Sequence, residues 1–245
     1  MKHFPLIQTL HELTLTPMGV PGNDKDWPGS WKIVEFKEYP RFPQVSLPTP
    51  TELSASFQQV LKNRSTTRSF NAVRIMGSQT LSDLLFWSAG LNRNHHTPQK
   101  STRFYPSGGA RYPLEVYCSF AGNSEISPGL YHYNVKKHLL EQLGDHTAQK
   151  TVSALHNYPW AKDASVIVFV SALFERNMRK YQERGYRFVL LETGAFLQTL
   201  YLVAESLGIG VSALGTIVEP RMQELLDLQS DDEPILIHAA VGYKN

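Results

Sequence analysis

Cysteine is almost absent from this chain of 245 residues, Cys118 being the only one. One thiol excludes an intrachain disulfide and any zinc site built on paired cysteines. Its setting, Glu115-Val-Tyr-Cys-Ser-Phe120, reads as a strand and predicts a packed thiol rather than a nucleophile. An excess of charge of one sign is lacking too. The 24 Lys and Arg against 22 Asp and Glu leave a net charge of +2, which gives no case for nucleic acid or an anionic membrane as the main partner. No segment reads as a membrane span. The first residues, Met1-Lys-His-Phe-Pro-Leu-Ile-Gln8, lack the continuous apolar core of a secretion signal, so a cytoplasmic protein is expected. The histidines lack metal-ligand spacing with nearby carboxylates. No metal is expected, and His132 and His238 read as packed or surface residues. Neither a Walker loop nor a dinucleotide fingerprint occurs in the needed context, and Ser107 has no nucleophile elbow around it. Internal repeats and low-complexity tracts are absent.

What remains is an ordinary globular composition, 42% hydrophobic and 19% charged, long enough to bury a sizeable core. Residues 1–50 hold more than half of the 15 prolines and no long periodic run. They read as an irregular arm lying on a surface, with Trp31 to Lys37 as a short extended piece. Residues 51–245 read as the folded domain. A first helix is predicted from Leu53, Phe57, Val60 and Leu61, capped by Thr51 or Ser54, and a second over Ser78 to Gly90. A polar loop, Asn92 to Arg103, carries His95-His96. Strands are predicted at Leu114–Phe120, Leu130–Tyr133, Leu139–Leu143, Ser165–Ser171 and Pro234–Tyr243. Between the last two lies a helix from about Arg187 to Leu207, apolar nearly all round and stopped by Gly208 and Gly210. Such irregular interleaving indicates α+β with a mixed sheet flanked by helices.

Four motifs carry chemistry. In Arg176-Asn-Met-Arg-Lys180-Tyr181-Gln-Glu-Arg184-Gly-Tyr-Arg187, a lysine and a phenol stand side by side among four arginines. Neighbouring cations and burial both ease the loss of an ammonium proton, so Lys180 and Tyr181 are candidates for proton transfer; the bland alternative is a solvated basic helix start. Arg64-Ser65-Thr66-Thr67-Arg68 can hold a phosphate between two guanidiniums and three hydroxyls, or simply end a helix. Pro106-Ser107-Gly108-Gly109 is a turn whose backbone can approach a flat ligand closely, or a tight turn into the next strand. Glu192 and Gln198 sit in the apolar helix, where burial is costly without a partner. They point to a cofactor, to another subunit, or to a thin solvent stripe.

These motifs, in this order, resemble the FMN-dependent nitroreductase superfamily, and within it the SagB-type (ThcOx-like) azoline dehydrogenases. The resemblance runs from about Trp27 to Gly242. Its most specific parts are Pro106-Ser-Gly-Gly-Ala-Arg-Tyr-Pro-Leu-Glu-Val116, Arg179-Lys-Tyr-Gln-Glu-Arg-Gly-Tyr-Arg187 and Leu191-Glu-Thr-Gly-Ala-Phe-Leu-Gln198. The Lys-Tyr pair separates this branch from ordinary nitroreductases. The resemblance implies an intertwined homodimer that binds FMN. Arg64 and Arg68 match the outer arginines of the family's Arg-Arg-Ser-x-Arg element, with Ser65 in place of the second arginine and Thr66 at the serine. Pro106, Ser107, Gly108 and Gly109 complete the site of the neighbouring subunit. Gln198 stands at a flavin-side polar position and Gly215 at a backbone contact near the reactive ring edge, while Lys244 is only a loose match to a C-terminal phosphate ligand.

The implied reaction takes peptide thiazolines or oxazolines to thiazoles or oxazoles on a ribosomally made precursor, in company with a cyclodehydratase complex. Flavin accepts the hydride and Lys180 or Tyr181 the proton. Free lysine and tyrosine have pKa values near about 10, so one of them must be lowered to act as a base at neutral pH. A general NAD(P)H-dependent nitro or quinone reductase is the alternative enzyme. A flavin-dependent scaffold and a flavin-free binding domain are the alternatives outside catalysis.

Overall fold

The computed structural model describes residues 4–15, 28–33, 36–92, 102–145, 158–215, 219–226, 228 and 232–245. His95-His96 and most of its loop lie outside them. The centre is a sheet of β1 (Gln44–Ser46), β2 (Leu114–Phe120), β3 (Gly129–Asn134), β4 (Leu139–Gly144), β5 (Val166–Ala172), β6 (Gly210–Leu214) and β7 (Ile235–Gly242). Its order is β1-β4-β3-β2-β5-β7-β6. Every named strand pair is antiparallel. Among the described residues, the mixed character expected from the sequence is confined to a bridge between Thr66 and Val211, which is parallel.

Strand alternation gives the sheet two unlike faces. Leu114, Val116, Cys118 and Phe120 point into an apolar core with Leu81, Leu84 and Leu85 of α4 (Ser78–Ala89) and Phe196 and Leu200 of α6 (Gly185–Ser206). Cys118 is fully buried there, and burial pushes its thiol up to about 12, as befits a packed residue. On the opposite face Glu115, Tyr117 and Ser119 are buried beside His132 and Asn134.

Several elements differ from expectation for identifiable reasons. The proline-rich arm contains α1 (Pro5–Leu13), because Pro5 occupies the first helical turn, where the missing N–H costs nothing. It also contains the short α2 (Gly29–Lys32) where an extended piece was expected. The first predicted helix begins only at Phe57, as α3 (Phe57–Asn63), with Ser56 accepting from the Gln59 amide. Thr51 cannot cap it: its amide and hydroxyl both bond the Asp83 carboxylate of α4 at 2.7 Å. Gly210 opens β6 instead of merely ending a helix, since a Cβ there would lie 2.4 Å from the Thr67 hydroxyl. The run Glu175–Ser206 is, by length and composition, apolar enough to cross a membrane, which corrects the expectation that no segment is. Here it packs on α4 and β6. A further helix, α7 (Glu219–Leu226), precedes β7.

Candidate functional site

The Pro106-Ser107-Gly108-Gly109 turn and the Lys180-Tyr181 pair, far apart in sequence, meet in space. The turn is strained by design of its sequence: Gly109, Ala110 and Tyr112 all have positive φ. Ser107 closes it, its Oγ accepting from the Tyr112 amide at 2.8 Å. α5 (Glu175–Tyr181) lies against its glycines. A Cβ on Gly109 would be 2.6 Å from the Tyr181 hydroxyl and 3.2 Å from Lys180 Nζ, so an ammonium and a phenol converge on the space that glycine leaves open. Phe188 packs edge-on to the Tyr181 ring at 4.8 Å and fixes it. Gly109→Ala is therefore expected to displace the tyrosine and to strain a left-handed residue. The expected loss is about 1–2 kcal/mol, read as a fall of about 2–8 °C in the thermal midpoint.

The four arginines around the pair are engaged elsewhere. Arg179 bonds Glu175 at 2.6 Å, while Arg184 and Arg187 reach His11 and Thr14 at the C-terminal end of α1, where cations favour a helix. Arg176 is the anchor of α5. Its guanidinium meets Glu115 of β2 at 2.6 Å and the Tyr112 carbonyl at 3.2 Å. The Arg176 carbonyl in turn accepts from Arg111. Behind Glu115 stand His132 at 3.3 Å and then Glu141, 2.8 Å from His132. Burial pushes the Glu115 carboxyl up, but Arg176 and His132 outweigh it and hold the group at about 2. Burial likewise lowers His132, and its two carboxylates overcome that and raise it. His238, also buried, has no such partners, and burial takes it down to about 4. On the same sheet face Glu233 accepts from Tyr117 at 2.8 Å and Ser171 at 2.7 Å and pairs with Lys37.

Glu192 of α6 stands directly beneath the turn. Its Oε2 is 2.5 Å from Ser107 Oγ, and its Oε1 is buried without a partner. Burial raises this carboxyl to about 8, against the opposing pull of Ser107, Arg103, Arg176 and the Gly108 amide. Asn177 of α5 is completely buried on the other side of Gly108, with neither side-chain atom paired. Two clefts flank these elements: about 280 Å³ lined by Pro106, Ser107, Gly108, Phe188, Leu191 and Glu192, and about 570 Å³ beside Phe174, Arg176, Arg179 and Asp232.

The second group of expected residues lies elsewhere. Arg64 is half-buried with its guanidinium 5.5 Å over the Tyr201 ring of α6, and Ser65, Thr66 and Arg68 are exposed. Gln198 is exposed on α6. Gly215 is exposed at the end of β6, and its amide donates to the Tyr158 hydroxyl at 3.2 Å. Lys244 pairs with Glu205 at 2.6 Å. Glu192 and Tyr201 are nine residues apart on α6, two and a half turns, so one chain holds the two groups on opposite sides of the helix and about 13 Å apart along it. No cluster of three or more metal-ligating side chains occurs among the described residues.

Asn177, Glu115 and Glu141 carry no motif in the sequence, while His132, expected to be packed or at the surface, is fully buried. Polar residues at every second position of apolar strands, Glu115-x-Tyr117-x-Ser119 and His132-x-Asn134, are the available signal for Glu115 and His132.

Residues 61–243 match the family model described as the nitroreductase family. The Methanocaldococcus jannaschii protein MJ1384 is 27% identical over 195 residues, covering 79% of this chain and 93% of that protein. The Escherichia coli microcin B17-processing protein McbC is 34% identical over 119 residues, 46% of this chain; the match spans 43% of McbC, less than half its length. Among solved structures, the E. coli microcin synthetase McbBCD complex with truncated pro-MccB17 bound matches with a TM-score of 0.64 and 21% identity, over 99% of this chain and 93% of that one, which establishes likeness of fold.

Proposed function

The chain belongs to the nitroreductase family, and we propose that it is an FMN-dependent dehydrogenase that oxidises azolines of a ribosomally made peptide to azoles. The observation that carries this reading is the convergence of the Lys180 ammonium and the Tyr181 hydroxyl above Gly109. Family membership alone accounts equally well for a nitro or quinone reductase, which has no need of a proton acceptor for carbon. Likeness to a microcin-processing protein supports the peptide substrate and a cyclodehydratase partner.

The residues fit FMN by their donor chemistry. Arg64, Ser65, Thr66 and Arg68 offer two guanidiniums and exposed hydroxyls for a phosphate and ribityl chain. Gln198 and Gly215 are assigned to the ring. Pro106, Ser107, Gly108 and Gly109 come from the second subunit, since a ligand touching both sides of α6 needs two chains. Exposed Phe57, Leu61, Leu190 and Leu191 on α3 and α6 supply an apolar surface for that pairing.

In the reaction an azoline loses two hydrogens from adjacent ring atoms, one as a proton and one as a hydride, and the ring becomes aromatic. FMN, when bound, supplies the hydride acceptor. Lys180 or Tyr181 takes the proton from carbon, and Phe188 holds the phenol in place for it. The first test is simple: the purified protein is expected to be yellow, to release FMN on denaturation, and to sediment near twice its 27.7 kDa chain mass. A colourless monomer that takes up no added FMN would contradict the proposal.

A further inference from the structure

Ser107 has one hydrogen to give and two lone pairs to fill. The Tyr112 amide fills one lone pair at 2.8 Å. The other bond, at 2.5 Å to Glu192 Oε2, can run in either direction. With Glu192 ionised, Ser107 must spend its only hydrogen on the carboxylate and has no donor left for a ligand. With Glu192 neutral, the acid donates, both lone pairs are filled, and the Ser107 hydrogen is free to point outward.

The surroundings choose between these states. Glu192 Oε1 is buried with no partner, so an ionised carboxylate would leave a charged oxygen unmet. Arg103, which also donates to the Ala89 carbonyl at 3.2 Å, Arg176, which is paired with Glu115 and the Tyr112 carbonyl, and the Gly108 amide all favour the ionised form, but burial outweighs them. The other ionisable groups around it are Tyr105, Tyr112 and Glu115, with Lys180 and Tyr181 above the turn. Neither the phenols nor Glu115 supply positive charge. We propose that Glu192 is a positioning residue, held as a neutral acid that donates to Ser107 and so reserves the Ser107 hydroxyl as a hydrogen-bond donor to an acceptor atom of bound flavin. This rests on the FMN reading above. Burial of Glu192, which raises its carboxyl to about 8, places the switch just above neutrality. Below that pH Ser107 donates outward, and above it Ser107 turns to the carboxylate.

Two measurements on the full chain test this. Infrared difference spectra of the FMN-free protein at pH 7 are expected to contain the carbonyl stretch of a protonated carboxylic acid that Glu192→Gln removes. FMN dissociation constants, from flavin fluorescence quenching between pH 7 and 9.5, avoid the second phosphate ionisation near about 6. The wild type is expected to weaken about tenfold as pH rises through that window, the worth of one hydrogen bond. Glu192→Gln, whose amide donates at every pH, is expected to retain tight binding with a flat profile, and Ser107→Ala to bind weakly and flatly. FMN uptake with the same pH profile in wild type and Glu192→Gln, or no acid band lost, overturns the inference alone. No FMN uptake at any pH overturns the functional reading beneath it.

Discussion

Lys180→Ala is expected to keep its FMN and lose oxidation of an azoline-bearing peptide by about 100- to 10,000-fold, the usual worth of a positioned proton acceptor. Tyr181→Phe is expected to fall in the same range if the phenol is the base, and by much less if it only orients the lysine. The pair stands against the turn at Gly109, remote from Arg64, Thr66 and Arg68 in the same chain. Substitution there should therefore separate chemistry from cofactor affinity. Single-turnover rates with a synthetic azoline peptide, alongside flavin content, make that separation. A scaffold that needs flavin only to fold would show normal product formation in Lys180→Ala. Nitro or quinone reduction, which takes no proton from carbon, is expected to survive both substitutions within a few-fold.

The largest loss of stability is expected from Arg176→Met. It leaves Glu115 and Glu141 in the buried sheet face with only His132 between them. Breaking one side of a buried ion pair costs about 3–5 kcal/mol. In a domain of this size that is a fall of about 6–20 °C in the thermal midpoint. The same contact sets the pH dependence. Glu115 is held at about 2 in the folded chain, below its ordinary 4.5. Its contribution is thus complete above about pH 4.5 and is lost as pH falls toward 2. His132 is raised by its two carboxylates, so its contribution is complete below 6.5 and fades as pH rises through its folded value. Glu115→Gln is expected to flatten the acid limb of a stability profile measured by denaturant titration. An unchanged acid limb would mean that the Arg176–Glu115 pair does not hold α5. Because Arg176 also bonds the carbonyl next to the turn, Arg176→Lys should lower turnover more than it raises KM.

Long periodic runs made much of this fold legible in the sequence. β2, β5, β7, α4 and α6 announce themselves through continuous or alternating apolar residues, and each was placed within a residue or two. What was misread depended on distant partners. α3 starts late because Asp83, 32 residues on, claims Thr51. α1 is masked by the density of proline around it, and what permits it is local, the place of Pro5 in the first turn. β6 was missed because Gly210 makes room for Thr67, which only the folded chain reveals. The site was legible as separate motifs. Lys180-Tyr181 and Pro106–Gly109 each stood out, but their meeting depends on Arg176 tying α5 to the start of β2. Asn177 gave no signal, one amide inside a basic helix.

The central claim is tested most directly by flavin absorbance under anaerobic conditions, mixing the FMN-loaded protein with an azoline-bearing peptide in one arm and NADPH alone in the other. Bleaching by the peptide, lost in Lys180→Ala, is the expected result. Bleaching by NADPH with no response to any azoline peptide would contradict the dehydrogenase reading and make the protein a general flavin reductase.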